Sequence, residues 1–357
     1  MAKISKNANL HAAKVNANDE FYTQYSDISN ELGHYRQHLK DAVVYCNCDD
    51  PSWSNFWRYF HNNFASLGLK KLICTHYQKD TEPSYALIYD GGDDFNMDAG
   101  DTVTIYGNTT VVDGKEVFYT AGDFRSDACI RFLKEADIVC TNPMFSLFRQ
   151  YLKQLIDYNK KFIILGNQNA ATYKEVFPLI KENKVWYGAS IHSGGVDFRM
   201  PDDYETYSKN VFLKDGHHYI NLSGIRWFTN LDVSYRHDGL WHLNGKFDNT
   251  QAHCYYEGHE DKYPKYDNYD AIEVSKTKDI PIDYAGIMGV PITWLDKYSP
   301  EEFEIVGADE AEGTGFSNGL FVTGSKHKQC FLNGKRIYKR IFIRNRNPIA
   351  KKDDLGY

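Results

Sequence analysis

The residues in this chain best suited to chemistry form the run Thr141-Asn142-Pro143-Met144-Phe145. It follows Ala136 to Cys140 (ADIVC), which reads as a buried strand, and precedes Ser146 to Tyr158, which reads as a helix. That order puts the run at the carboxyl edge of a sheet, where α/β proteins bind their ligands. The Asn142 side-chain carbonyl and the backbone carbonyl of Pro143 are two acceptors side by side. Two acceptors suit an exocyclic amino group of a base, a poor nucleophile because its lone pair is delocalised into the ring. Accepting both hydrogens draws the nitrogen toward tetrahedral geometry, and Phe145 offers a face on which an extruded base stacks. Asn142, Pro143 and Phe145 are therefore the catalytic candidates. An isolated Asn-Pro usually just opens a turn, so its weight depends on the elements around it.

Those elements have a crossover rhythm. Asp27 to Leu39 reads as a helix and Ala42 to Cys48 as a buried strand ending in Asp49-Asp50-Pro51. Trp53, Phe56, Trp57, Phe60, Phe64 and Leu67 recur at helical spacing until Gly68 stops the helix, and Leu69 to Thr75 supplies a second strand. Between Tyr85 and Tyr119, Asp-Gly and Gly-Asn signals point to hairpins, expected as an inserted β excursion. The rhythm resumes with ADIVC and with Phe162 to Leu165, and further strands are expected at Val185 to Ile191 and His218 to Phe228. The expectation is an α/β, Rossmann-like doubly wound sheet of six or seven mostly parallel strands over residues 1–235. Beyond about His237 the rhythm stops, a turn-rich block covers Ile280 to Leu295, and residues 236–357 read as an appended region.

Hydrophobic residues at 42% and charged residues at 25% lie in the globular range. No apolar run approaches the roughly 20 residues a membrane span requires, so a cytoplasmic location is the default expectation. The seven cysteines are scattered, and Cys46, Cys48, Cys74 and Cys140 read as reduced core residues with no zinc-ligand spacing, so no metal is expected. The net charge of -7 hides an asymmetry. Val322 to Lys352 holds Lys326, Lys328, Lys335, Arg336, Lys339, Arg340, Arg344, Arg346, Lys351 and Lys352 with no acid, whereas Glu301 to Glu312 is acidic. A one-sided basic surface suits phosphates, which makes Lys335, Arg336, Lys339, Arg340 and Arg344 the candidate DNA contacts. A solvated strand edge blunted by lysine is the bland alternative.

The tetrapeptide from Asn142 resembles the Asn-Pro-Pro-Phe motif of amino-methyltransferases, and wider stretches resemble the EcoRI-type adenine-specific DNA methyltransferase family. They are NDEFYTQ from Asn18, CNCDDPSWSNF from Cys46, LGLKKLICT from Leu67, GDFRS from Gly122, IMGVPITWLDKYSPEEFEIVG from Ile287 and NGKRIYKRIFIRN from Asn333. The resemblance covers most of the chain. It implies S-adenosylmethionine as cofactor, double-stranded DNA as partner, base flipping, and a distal target-recognition region. By resemblance Phe21, Tyr22 and Thr23 line the methionine end of the cofactor, and Asp123 with Phe124 holds its adenine. Asp49, Asp50, Pro51, Ser54, Asn55 and Thr75, at the ends of the first two strands and the start of the first helix, complete the cofactor set; free N–H groups there suit its amino-acid end. GAATTC becomes a candidate site, a restriction endonuclease a candidate partner system, and a monomer the default.

Three departures matter. Met144 stands where the family pattern has a second proline, the first turn lacks Gly-x-Gly, and Thr75-His76-Tyr77 lacks the acid that usually grips a ribose, leaving Asp90 as a substitute. Two other classes fit the same motif: a catalytically impaired protein that binds DNA or cofactor, and a protein-glutamine methyltransferase. The Pro-Cys of cytosine-carbon enzymes is absent.

Overall fold

The computed structural model describes residues 22–48, 50–93, 96, 99–192, 194–200, 210–237, 263–281, 284–310, 315–322, 324–325 and 328–348. The chain forms two compact units, Met1–Asn167 with Tyr187–Leu231 and Gln168–Trp186 with Asp232–Tyr357.

The first unit opens with helix α1 (Tyr25–Leu32), a 3-10 turn and helix α2 (Arg36–Leu39), followed by strand β1 (Val43–Cys46). Ser54 caps helix α3 (Asn55–Asn62), its Oγ accepting from the Phe56 and Trp57 amides at 3.1 and 3.2 Å. The single helix expected here breaks at Asn63 into α3 and α4 (Phe64–Leu67), and Gly68 ends it in the left-handed region at φ 65°. Strand β2 (Lys71–Thr75) follows, then β3 (Ser84–Tyr89), β4 (Asp101–Ile105), β5 (Asn108–Val112) and β6 (Lys115–Tyr119). Helix α5 (Asp127–Glu135), strand β7 (Ile138–Thr141), helix α6 (Phe148–Asp157) and strand β8 (Lys161–Asn167) restore the crossover rhythm. Ser126-Asp127, a cap followed by an acid in the first turn, is the start signal of α5.

After β9 (Trp186–Tyr187) come β10 (Gly195–Arg199), β11 (Val211–Lys214), β12 (His217–Ser223) and β13 (Ile225–Thr229). The central sheet has the order β4-β3-β2-β1-β7-β8-β13-β9, and β10-β12-β11 make a second, antiparallel sheet. Strands β2, β1, β7 and β8 pair parallel, whereas β3, β4 and β13 join antiparallel. The architecture is mixed α/β around a large central sheet. Three expectations change. The hairpin region is only partly an excursion, because β3 and β4 extend the main sheet and only β5 and β6 pair apart from it. The span Val185 to Ile191 shrinks to two strand residues. His218 to Phe228 is two strands in different sheets, divided at Gly224 (φ 77°).

The second unit contains helix α7 (Phe177–Lys181) and strands β14 (Ile272–Glu273), β15 (Met288–Pro291), β16 (Phe303–Ala308), β17 (Phe331–Leu332), β18 (Lys335–Arg336) and β19 (Arg340–Asn345). Its sheet runs β14-β15-β19-β16, and β17 and β18 form a hairpin. Tyr266, Tyr269, Ala271, Val306, Cys330 and Phe342 make one core cluster. The block Ile280 to Leu295, expected as turns, contributes β15 to this sheet. Of the distal aromatic residues suited by type to stacking on or wedging between bases, Trp227 in the first unit and Trp294 in the second are buried core rings, and Tyr255 and Tyr256 lie outside the described residues. Among the described residues no helix is long and apolar enough to cross a membrane, and no group of His, Cys, Asp or Glu is arranged to hold a metal ion.

Candidate active site

From β1 the chain moves outward to β2 on one side and returns later to β7 on the other, so the strand order reverses between β1 and β7. That crevice is where an open α/β sheet binds ligands. Both carboxyl ends meet there: Thr141 Oγ1, at the end of β7, donates to the carbonyl of Asn47, just past β1. Asn47 in turn accepts from the Thr75 hydroxyl at 2.9 Å, which joins the end of β2. The next residues along are Asn142, half-buried, and Pro143, buried. The half-buried ring of Phe145 stands edge-on to Phe198 of β10 at 6.4 Å. The three catalytic candidates therefore lie at the switch point, held by a hydrogen-bonded seam.

Beside them is a cavity lined by Cys48, Tyr77, Gly122, Asp123, Phe124 and Met144. Gly122 has φ 81°, and a Cβ there would lie 2.0 Å from the His76 carbonyl oxygen, so the close approach of this loop to the end of β2 requires glycine. Asp123 is buried and gripped by Arg125, whose Nε and terminal nitrogen donate at 2.9 and 2.7 Å while the Arg125 amide adds a bond at 2.8 Å. Those three donors leave a carboxylate with capacity for another. The hydrogen bonds to Asp123 raise the Arg125 pKa, keeping the clamp charged. The guanidinium lies over the Tyr119 and Phe124 rings. Gly122, Tyr77 and Cys48 line this cavity and Arg125 braces it, although no motif in the sequence singles out Tyr77, Cys48 or Arg125. The Gly122-Asp123-Phe124-Arg125 run was in view, but only the fold reveals its contact with the β2 turn.

The arm before α1 is tied to this edge. Tyr22 exchanges backbone hydrogen bonds with Arg199 and packs edge-on to Trp53, and the Thr23 carbonyl accepts from Asn55 Nδ2 at 2.7 Å. Thr23 Oγ1 is buried with no hydrogen-bond partner. Asp50 accepts from the Ser52 amide and hydroxyl, Trp53 Nε1 and the Tyr85 hydroxyl, all within 3.0 Å. Burial, reinforced by Asp50, pushes the Tyr85 pKa up to about 12, so it stays a donor. Asp50 thus braces the turn through Pro51 and Ser52. Phe21 and Asp49 lie outside the described residues.

Two residues considered for the cofactor do not line the cavity. Thr75 is fully buried and its hydroxyl is committed to Asn47 and Tyr45, so it shapes the edge without lining the cavity. Asp90 follows Tyr89, which pairs with Leu72 near the amino end of β2, so it sits at the opposite end of the strand from the cavity.

The basic candidates divide sharply. Lys335 and Arg336 are exposed on the β17–β18 hairpin, whose Asn333-Gly334 turn is held by hydrogen bonds from both backbone N–H groups to the Asp267 carboxylate. Lys339 donates to Thr172, and Arg344 is half-exposed, 3.6 Å from Glu304. Arg340 contradicts its expected role as a DNA contact. Its side chain is only 10% exposed and makes two bonds to Glu273, at 2.9 and 2.7 Å, inside the sheet. Lys326, Lys351 and Lys352 lie outside the described residues.

Comparison with known proteins identifies the family. The family model described as "Adenine-specific methyltransferase EcoRI" matches residues 9–346. The chain is 47% identical over 350 residues to the type II methyltransferase M.EcoRI of Escherichia coli, covering 97% of this chain and 99% of that protein. It is 37% identical to M.MgeORF184P of Mycoplasma genitalium, over 94% of this chain and 98% of that protein. It is 35% identical to M.MpnI of Mycoplasma pneumoniae, over 95% and 99% respectively. No solved structure gives a significant match. With its acceptor pair at the sheet's switch point and this likeness along nearly its whole length, the chain belongs to the EcoRI family of adenine-specific methyltransferases and is a DNA methyltransferase.

Proposed function

We propose that the protein methylates the N6 amino group of an adenine turned out of the duplex, with S-adenosylmethionine as donor. The observation that carries the reading is the placement of Asn142 and Pro143 at the switch point beside the cavity of Gly122, Asp123, Phe124 and Met144. The fit to the cofactor rests on this chain's own residues. Asp123 has acceptor capacity for an adenine amino group, Phe124 and Met144 give the cavity apolar walls, and the Thr23 hydroxyl is a buried polar group in need of a partner. Tyr22, Asp50, Pro51, Ser54 and Asn55 would complete the cradle at the methionine end. When bound, the cofactor supplies an electrophilic methyl group on a positively charged sulfur.

The Asn142 side-chain carbonyl and the Pro143 carbonyl accept the two amino hydrogens, concentrating the lone pair on nitrogen, and Phe145 holds the ring plane. Orientation supplies much of the rate, and no covalent protein intermediate is needed. Met144, in place of the usual proline, lines the cavity while both acceptors are kept. We assign the first unit as a Rossmann-like catalytic domain and the second as the target-recognition region, with Lys335, Arg336, Lys339 and Arg344 positioning phosphates.

The test is incubation with labelled S-adenosylmethionine and unmethylated genomic DNA, followed by single-molecule mapping. Methylated adenine in one short motif, GAATTC being the first to inspect, supports the reading. Cofactor binding without any modified adenine would refute it and point to Met144.

A further inference from the structure

The register of the β10-β12-β11 sheet sorts its residues into two faces. Phe198, Ile220 and Val211 align across the three strands, and Leu213 aligns with His218 two residues farther along. Strand alternation then puts Val196, Phe198, Ile220, Leu222, Val211 and Leu213 on one face. The inner part of that face is covered, with Phe198 fully buried and in contact with Phe145 of the catalytic run. At the hairpin tip the same face leaves the protein: Leu213 is 66% exposed and His218 is exposed beside it. The turn is Asp215-Gly216, with φ of 51° and 80°. Two positive φ values are the signature of a tight hairpin turn that matches strand twist, so the tip is stiff. Strand spacing of about 4.8 Å and a rise of about 3.4 Å per residue put the Leu213 Cα roughly 12 Å from that of Phe198.

We infer that Leu213 is the wedge that enters the DNA stack at the target base pair and fills the place left by the adenine. The inference rests on the proposed turning-out of the base toward Phe145. The occupant of this apolar tip is the duplex on which the family acts, and the argument is continuity: one sheet face carries both the ring that backs Phe145 and the exposed leucine. Phe198 itself is sealed, but Phe145 packs against it, so a base received at Phe145 and a side chain inserted by Leu213 lie within about one major-groove width of each other, roughly 12 Å, and belong to one duplex. An apolar side chain inserted at a base step offsets lost stacking, as in other proteins that distort DNA. Lys214, exposed on the opposite face, is available to a phosphate, and Asp215 is confined to the turn.

The experiment uses the full chain, its cofactor and a duplex carrying the mapped motif with 2-aminopurine at the target adenine. Fluorescence rises as that base leaves the stack. The wild-type protein is expected to give the rise, and Leu213→Ala to reduce it by about tenfold at saturating protein, with the melting temperature unchanged. A mismatch opposite the target, which weakens the pair in advance, is expected to restore the signal, and Leu213→Met to retain most of it. Wild-type fluorescence from Leu213→Ala would overturn the wedge while leaving base extrusion intact. Equal loss of binding to matched and mismatched duplexes would also overturn it, making Leu213 a general docking contact. No rise with the wild-type protein would overturn base extrusion itself, and the wedge with it.

Discussion

In the first unit four central strands run parallel, so the loops after β1, β2 and β7 crowd onto one edge; in the second, β15, β19 and β16 pair antiparallel and their loops alternate between ends. The parallel arrangement turns sequence-distant turns into one site, and Asn47, Thr75 and Thr141 lock it with side-chain hydrogen bonds. The antiparallel sheet gathers nothing comparable, and its basic residues take their roles from individual burial. Arg336 and Arg340, four positions apart, show the difference: one is exposed on a hairpin and the other is sealed against Glu273.

That comparison breaks most severely at Arg340. Arg340→Ala leaves the Glu273 carboxylate buried without its counter-charge, held only by the Tyr266 and Ser275 hydroxyls, and a loss of about 3–5 kcal/mol in denaturant unfolding is expected, with the salt dependence of DNA binding unchanged. An undiminished midpoint would mean that the pair is not part of the second unit's core. Gly122→Ala comes next. It forces a side chain against the His76 carbonyl in a left-handed conformation, and a cost of about 1–3 kcal/mol is expected, with cofactor affinity in equilibrium dialysis falling more than stability. Equal affinity would separate the loop from the cofactor. Charge reversal at Lys335 and Arg336 together should leave the fold intact, within about 0.5 kcal/mol, because both are exposed. The slope of log affinity against log salt should fall by about two, and an unchanged slope would return the hairpin to plain solvated surface.

The smallest effect concerns His237, whose ring lies 2.8 Å from Asp232 and 2.6 Å from Glu301, with Arg236 nearby on the same turn. Its pKa is raised above the usual 6.5, first by the hydrogen bond to Asp232. The stabilisation is therefore fully present below about pH 6.5 and lost as pH climbs through the raised value. With the side chain 38% exposed, solvent screening keeps it under about 1 kcal/mol. His237→Ala should flatten the pH dependence of stability above that point, and an unaltered profile would show that the contact contributes nothing.

The legible parts of the molecule were those with local signatures. Asn142-Pro143 followed an apolar strand, Ser54 and Gly68 marked a helix start and stop, and the first strand–helix–strand unit could be read from spacing alone. What stayed hidden depended on contacts between distant segments. The need for glycine at 122 arises from a carbonyl 46 positions earlier in the chain. The commitment of Thr75 to Asn47 and of Arg340 to Glu273 cannot be seen in composition, because a buried arginine and an exposed one count alike. Strands β3 and β4 carry hairpin signals, and nothing in those signals says which sheet a hairpin joins.

The central claim is that the acceptor pair at the switch point performs the methyl transfer. The most direct measurement is single-turnover transfer of labelled methyl by Asn142→Ala, alongside its cofactor and DNA affinities. The expected result is a fall in transfer of at least about a hundredfold with both affinities within a few-fold of the parent protein. Transfer at the parent rate would contradict the assignment of Asn142 and move the catalytic acceptors elsewhere on the sheet edge.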